Sequence, residues 1–307
     1  MNTLLALFGD YTFRTVALGS ALLGITSGVL GSFAVLKKES LLGDGISHAA
    51  LPGVVLVFLV FGRRETEVLL LGALLSGLTA AFLITIVVRY TRIKFDAALA
   101  LVMSVFFGLG LMLLSHVQKI PNSNQAGLQR FIFGQASTLM QRDLVVMAVG
   151  GAVLLALVAL FWKEFKLFTF DSEYAQTLGY SPRVINFLLS LMIVIAIIIG
   201  LQMVGVILMS AMLIAPAVAA RQWTNNLSVM VVLAAVFGAV SGVAGTTASS
   251  LQAKLPTGPA IVVCASIIVV FSILFAPQRG ILRRLYRLHK NRRKLASEGG
   301  TGYGAAH

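Results

Sequence analysis

An acid and an imidazole lie within one long apolar stretch near the start of the chain, Leu41–Gly53. On a helix, Asp44 and His48 are four residues apart and therefore project from the same face. Pro52 has no N–H, so the carbonyl of His48 loses its helical partner and a kink is predicted at this point. In lipid, polar groups of this kind are costly unless they have a partner or a function. The turn is therefore a candidate site for binding a metal ion or moving a proton.

The same residues also fit a purely structural role. Asp44 could be the N-cap of a helix that starts at Gly45. His48 could be a hydrogen-bonded histidine between packed helices, and the glycines at 43, 45 and 53 could serve only close helix packing. The residues alone leave both interpretations open.

A metal site in this turn would lack ligands. Asp44 and His48 supply one oxygen and one nitrogen, whereas structural zinc sites use about four ligands and Mn²⁺ often takes more. A second copy of the turn, across a two-fold axis, would add another carboxylate and another imidazole. Two-fold dimers are the commonest oligomers, so the shortage of ligands predicts that the chain works as a pair.

The composition is that of a membrane protein. The 307 residues are 58% hydrophobic and 11% charged, with a mean hydropathy of +0.93. Repeated apolar runs of about 20 residues predict an all-α, polytopic protein with about eight to nine transmembrane helices. The single cysteine, Cys264, cannot form an internal disulfide or a thiolate cluster and is predicted to be a small packing residue.

The apolar runs divide the chain into an interfacial segment (1–13), a transmembrane domain (14–277) and a basic tail (278–307) with a disordered end. A polar loop, 163–183, interrupts the transmembrane domain. Pro216 is predicted to kink the seventh span, and one of spans six and seven is expected to be short, broken or re-entrant. The predicted spans are Arg14–Leu36, Leu41–Phe61, Val68–Val88, Ala97–Leu114, Leu144–Trp162, Ile185–Gln202, Val204–Ala220, Leu227–Leu251 and Ala260–Phe275.

Basic residues indicate the orientation. The net charge is +13, and eight of the 24 basic residues lie between Arg279 and Lys294. With nine spans, most of the basic positions fall on one side, which should be the cytoplasm, and the N-terminus faces outward. A basic segment directly after an apolar helix is typical of contact with lipid headgroups rather than with nucleic acid.

The polar loop carries a second candidate element. Asp171 and Glu173 at its front and Gly179 at its end, with Tyr174 and Ala175 between them, predict a short capped helix. Such a helix on the cytoplasmic side could dock a soluble ATPase, with the small residues Ala175 and Gly179 letting it fit close to that partner, or it could be an ordinary loop helix.

Several catalytic motifs are absent from the sequence. It contains no Gly-x-x-x-x-Gly-Lys-[Ser/Thr] phosphate loop, no His-Glu-x-x-His, no Cys-x-x-Cys and no Gly-x-Ser-x-Gly. We therefore expect the chain not to be an enzyme and to depend on a separate subunit for any ATP hydrolysis.

Three motifs, in order along the chain, resemble the membrane permease subunits of the bacterial ABC importers for manganese, zinc and iron. The resemblance covers about Arg14–Pro277. The matching residues are Gly28–Lys37 with Ser40–Asp44 and Ser47–Ala49, then Asp171 through Ala175 to Gly179, then Val204-Gly205 through Leu208, Pro216, Ala217 and Ala220.

This resemblance implies a helical permease of the vitamin B12 importer type, in the bacterial inner membrane, working as a two-fold pair. It also implies a cytoplasmic ABC ATPase pair and an extracytoplasmic metal-binding protein as partners. Metal coordination would fall on Asp44 and His48, and ATPase coupling on the loop helix. Some members pair two different permeases, and the long basic tail departs from the family's shorter ends.

Two other functions are compatible with the central turn. A proton-coupled secondary metal transporter could use Asp44 and His48 as a proton relay, although such proteins usually show an internal repeat and none is clear here. An intramembrane enzyme could use His48 as a base, but no nucleophile or full metal set accompanies it. Carboxylate and imidazole suit Mn²⁺, Fe²⁺ and Zn²⁺ alike, and no permanently bound cofactor is expected.

Overall fold

The computed structural model describes residues 10–62, 66–119, 134, 139–251 and 255–283. Every regular element in these ranges is an α-helix, which agrees with the predicted fold class. The eleven helices are α1 Tyr11–Leu36, α2 Leu42–Phe61, α3 Thr66–Tyr90, α4 Phe95–Val117, α5 Gln141–Leu160, α6 Trp162–Phe170, α7 Ser172–Thr177, α8 Pro182–Val204, α9 Val206–Trp223, α10 Leu227–Leu251 and α11 Thr257–Phe275.

Eight of these helices are long and apolar enough to cross a membrane: α1 to α5, α8, α10 and α11. The prediction of a polytopic helical membrane protein is therefore confirmed. Most predicted bounds differ from the observed ones by two or three residues. The first helix begins at Tyr11 and so includes residues 11–13 of the segment predicted to be interfacial. Residues 1–9 and the tail from 284 onward lie outside the described ranges.

Helix α1 lies at the centre of the bundle and contacts α10 most closely. Small residues make this possible: a Cβ added at Gly24 would lie 2.2 Å from the carbonyl oxygen of Gly238, and one at Gly28 would lie 2.4 Å from that of Ala234. The two backbones thus touch over more than one helical turn, as in membrane helix pairs with small residues at the contact. The main core extends from α1 across α2, α8 and α9.

Helices α8 and α9 are separated by one residue, Gly205. Its φ of +84° is a conformation that L side chains rarely adopt, so glycine allows the abrupt change of direction. The region that the sequence predicted to be short or broken is thus two helices with a one-residue break. Pro216 lies inside α9, which is continuous from Val206 to Trp223; a kink there stays a prediction.

Contacts between helix ends define two faces of the bundle. On one face, a polar pocket between Asp10 and Thr257 joins the starts of α1 and α11 to the end of α10. Val204, at the end of α8, is also close to Gly258 of α11 on this face. On the other face, the N–H of Arg279 donates to the carbonyl of Gln222 at the end of α9. Helix α9 therefore runs between the faces as well, which gives nine crossings over the described residues.

Candidate metal site and loop helices

The acid and the imidazole face each other across the first two turns of α2. Asp44 Oδ1 lies 3.5 Å from His48 Nε2. The side chains are 39% and 20% exposed, respectively, whereas every other residue from 42 to 55 is buried. The predicted shared face is confirmed, and the pair forms the only open strip of this part of the helix.

The N-capping role proposed for Asp44 does not fit the helix start. Helix α2 begins at Leu42, so Asp44 is its third residue and the N-cap position belongs to Leu41, which has no side-chain capping bond. The carboxylate instead lies beside the imidazole one turn later. A role for Asp44 beyond helix capping is therefore favoured by its position.

His48 is held from one side by an aromatic ring. The ring of Phe107, in α4, lies 4.7 Å from the imidazole centroid at 75°, an edge-to-face arrangement. The Nδ1 atom of His48 is buried and has no hydrogen-bond partner within the described part of the chain. Packing rather than a hydrogen bond therefore orients this imidazole, with Nε2 toward Asp44.

Glycines and a serine let α2 fit between its neighbours at the level of the pair. A Cβ at Gly43 would lie 2.9 Å from Leu213 of α9, and one at Gly45 would lie 2.8 Å from Leu99 of α4. Ser47 is buried and donates to the carbonyl of Gly43 at 2.7 Å. The packing role proposed for these small residues is thus observed, and it positions Asp44 and His48.

Pro52 lies inside α2, which continues through it to Phe61. One residue after the carbonyl that the proline leaves free, the carbonyl of Ala49 accepts a hydrogen bond of 2.6 Å from the Ser76 hydroxyl of α3. This hydrogen bond connects α2 to α3 one residue after His48. The predicted kink at Pro52 stays a prediction.

Asp44 and His48 do not form a complete metal site with the other described residues of the chain. No group of three or more His, Cys, Asp or Glu side chains is close enough to hold an ion among the residues described. Asp44 and His48 thus remain two candidate ligands, on a strip of α2 that is partly exposed.

The loop between α5 and α8 forms two short helices, α6 and α7. Asp171 accepts a 2.8 Å hydrogen bond from the Tyr174 N–H and caps α7, and Gly179 follows the helix with a φ of +85°. The short capped helix predicted from the sequence is thus present. Asp171, Glu173, Tyr174 and Gly179 are exposed.

Ala175 differs from its predicted situation. The sequence suggested that this small residue lets a partner approach closely, but its side chain is fully buried, and α7 packs on α6 and α8. The large exposed side chains of the loop include Tyr174 and Leu178, each 53% exposed, and Phe170, which is 60% exposed. Tyr174 and Leu178, next to the buried Ala175, are therefore among the residues that a docking protein could touch.

One lysine at the end of α1 connects the segment before α2 to this loop, a link that sequence reasoning missed. Lys37 forms a 3.0 Å ion pair with Glu39 and donates a hydrogen bond to Asn186 of α8. Its ammonium also lies 5.4 Å from the ring centroid of Phe168 in α6. The segment that leads into the Asp44 turn therefore touches both α6 and α8.

Comparison with known proteins places this architecture in a family. The model of the ABC 3 transport family matches residues 10–276. The zinc transport system membrane protein TroC of Treponema pallidum is 51% identical over 287 residues, covering 94% of this chain and 96% of its own length. The manganese transport system membrane protein MntC of Bacillus subtilis is 47% identical over 92% of this chain and 65% of its own length.

A solved structure has the same fold. PsaBC from Streptococcus pneumoniae, in complex with Fab, superposes with a TM-score of 0.79 at 30% identity, covering 91% of this chain and 97% of the compared chain. The family match extends over all eleven described helices, including α2 with its Asp44 and His48 pair and the loop helices. The chain therefore belongs to the ABC 3 transport family.

Proposed function

We propose that the chain is the membrane-spanning permease subunit of an ATP-driven ABC importer that carries a divalent transition metal ion across the bacterial inner membrane. The observation that carries this proposal is the Asp44 and His48 pair, whose side chains are partly exposed on an otherwise buried stretch of α2. Family membership and the zinc and manganese transport named for the similar proteins support it.

The cargo ion is bound between two permeases. One chain supplies a carboxylate and an imidazole, and a two-fold related chain supplies the same set, which gives four protein ligands. This donor set suits Mn²⁺, Zn²⁺ and Fe²⁺, and excludes none of them. The second permease is either the same chain or a paralogue.

Transport depends on two kinds of soluble partner. A cytoplasmic pair of ABC ATPases docks on the loop helices through exposed residues such as Tyr174 and Leu178, and ATP binding and hydrolysis there switch the permease between outward and inward states. An extracytoplasmic metal-binding protein delivers the ion to the opposite face. Lys37, which touches α6 and α8, provides a direct contact between the docking loop and the segment before Asp44.

The test is metal uptake by cells that lack the chain and are complemented with variants. Radioactive Mn²⁺, Zn²⁺ and Fe²⁺ are each supplied, and membrane abundance is measured in the same cells. We expect Asp44→Asn and His48→Gln to abolish uptake of the cargo metal, because each removes a ligand while preserving the size of the side chain.

Matched controls come from α4. Asp96 is an exposed acid in the first turn of that helix, and His116 is an exposed histidine in its last turn. Asp96→Asn and His116→Gln should leave uptake near the wild-type level. Wild-type uptake by Asp44→Asn, or uptake of all three metals that is independent of the chain, contradicts the proposal.

A further inference from the structure

A groove at one end of the bundle combines apolar walls with two arginines. It has a volume of about 410 Å³ and lies between α3 and α8, with Phe168 of α6 at its edge. On α3 it is lined by Leu78, Ala81, Phe82, Thr85 and Arg89. These positions follow the spacing of one helix face. The α3 wall of the groove is thus a continuous stripe of side chains that ends at the guanidinium of Arg89.

The residues of α8 that line the opposite wall of the groove follow the same order, from a charged end to an apolar end. This wall includes Arg183, Asn186, Phe187, Ser190 and Leu191, so the charged end again lies at the helix terminus, and the apolar Phe187 and Leu191 lie deeper. Phe82 and Phe187 are 59% and 60% exposed. Two exposed aromatic rings and two cations thus present a surface that is apolar in its depth and positive at its mouth.

Neither arginine has an anionic partner among the described residues. The close contacts of carboxylates with basic side chains there are Lys37 with Glu39 and the imidazole of His48 with Asp44, and neither includes Arg89 or Arg183. The guanidinium of Arg89 lies only over the ring of Tyr90, at 5.3 Å. Lys37, which contacts Asn186 at the edge of the groove, is already neutralised by Glu39. The positive charge at the mouth is therefore available to a ligand.

The dimensions of the groove match one leaflet of a bilayer. Leu78 and Arg89 are eleven residues apart, which is about 16 Å along a helix and roughly half of a 30 Å hydrocarbon core. Arg89 is in the last turn of α3 and Arg183 is in the first turn of α8, on the face that the distribution of basic residues assigns to the cytoplasm. The cations therefore lie at the level of the inner-leaflet headgroups, and the aromatic walls lie at the level of acyl chains.

The groove also faces away from the Asp44 strip. Ile46 approaches Gly77 of α3, the residue before the groove residue Leu78: the Cγ2 atom of Ile46 would be 3.4 Å from a Cβ added at Gly77. Ile46 is two residues from both Asp44 and His48, or about 200° around the helix. If the subunit pair forms at the Asp44 strip, as proposed above, the groove is on the other side of α2 and is open to lipid.

We propose that this groove is a binding site for an anionic phospholipid of the cytoplasmic leaflet. The phosphate-containing headgroup is bound by Arg89 and Arg183, and one acyl chain lies along Phe82 and Phe187. Basic pockets between transmembrane helices on the cytoplasmic side have the chemistry that such headgroups require. The occupant is a lipid and not a soluble anion, because more of the groove is apolar than charged.

The experiment measures which lipids the purified full-length chain retains. The protein is exchanged into mixed micelles with equal amounts of phosphatidylglycerol and phosphatidylcholine, and bound lipid is counted by native mass spectrometry. We expect phosphatidylglycerol to be enriched over phosphatidylcholine. Arg89→Gln and Arg183→Gln, tested singly, should each reduce that enrichment about five-fold.

Two further variants separate the groove from general surface charge. The control Arg92→Gln with Lys94→Gln removes two exposed cations from the loop between α3 and α4, outside the groove, and should leave the enrichment unchanged. Ala81→Trp fills the apolar part without changing the charge and should abolish the enrichment. The tailless headgroup glycerophosphoglycerol should not displace the lipid.

Several results would overturn the proposal. These are equal retention of both lipids by the wild type, no effect of either groove arginine, an equal loss in the Arg92 and Lys94 control, or displacement by glycerophosphoglycerol. Dissociation of the permease pair by Ala81→Trp with unchanged lipid retention identifies the groove as a subunit contact and also contradicts it. Lipid retention is measured without metal, so these outcomes are independent of the uptake experiment.

Discussion

At the scale of single residues, the central feature is a carboxylate and an imidazole that are close but not locked together. A separation of 3.5 Å between Asp44 Oδ1 and His48 Nε2 is longer than a strong charge-assisted hydrogen bond. Both atoms can therefore turn toward a third atom without first breaking a tight contact. This is a suitable resting geometry for a transient ion, which must bind and then leave.

The orientation of His48 depends on Phe107, which gives the first prediction. Phe107→Leu removes the edge-to-face contact with the imidazole, and such a contact is worth about 1 kcal/mol. We expect the KM for metal uptake to rise about five-fold while membrane abundance is unchanged. The neighbouring Phe106→Leu, which leaves the His48 contact intact, serves as the control. Equal KM values for the wild type and Phe107→Leu would show that the ring does not position His48.

At the scale of elements, the crossing of α1 and α10 limits what the bundle can accommodate. A Cβ at Gly24 would meet the backbone of Gly238 at 2.2 Å, and a backbone atom cannot move aside as a side chain can. Gly24→Ala should therefore separate the two helices and destabilise the protein by at least about 3 kcal/mol, the upper range for overpacking. Thermal unfolding of the purified chain measures this.

Gly108 provides a matched control for that substitution. It lies within α4, and nothing is within 4 Å of a Cβ added there. Gly108→Ala should be neutral or stabilising by up to about 1 kcal/mol, since alanine favours a helix over glycine. Similar melting temperatures for the two variants would mean that the α1–α10 contact is not as close as described.

The loop helices give a prediction about coupling. Tyr174 is an exposed residue of α7, and its removal should weaken docking of the ATPase without disturbing the buried Ala175 beneath it. We expect Tyr174→Ala to insert and pair normally but to lose most of its stimulation of ATP hydrolysis and to copurify poorly with the ATPase. Tyr90→Ala, which alters another exposed tyrosine on the same face of the bundle, should retain both properties. The prediction fails if the two variants couple equally well.

The elements that could be predicted from the sequence are those with a local signal. Apolar runs of the right length gave the transmembrane helices to within a few residues, and Asp171 with Gly179 gave the short loop helix. The i, i+4 spacing gave the shared face of Asp44 and His48. Contacts between distant segments have no such signal, which is why the Phe107 ring and the link from Lys37 to Phe168 were not foreseen. The burial of Ala175 was missed for the same reason.

At the scale of the whole molecule, the nine membrane crossings of the described helices determine where the Asp44 and His48 pair lies. Helix α2 begins on the same face as Lys37, Arg89 and Arg183, the face assigned to the cytoplasm. Asp44 is in its first turn and His48 is one turn deeper, so the pair is in the cytoplasmic half of the membrane. If Asp44 and His48 bind the cargo, as proposed above, an imported ion crosses the outer half of the bundle before it meets them, and the cytoplasmic end must stay closed while it is bound.

A site shared by two chains has a definite stoichiometry. If each chain contributes Asp44 and His48 to one ion, the purified pair should bind half a metal ion per chain when titrated with Mn²⁺ or Zn²⁺ in a calorimeter. Mixed pairs of wild type and His48→Gln, isolated through two different affinity tags, should lose most of this binding, because three ligands remain where four were present. Asp44→Asn pairs provide the baseline for adventitious binding. One ion per chain in the wild type, or half of the wild-type binding in the mixed pair, would mean that each chain holds its ion independently and that the open strip on α2 is completed by something other than a second permease.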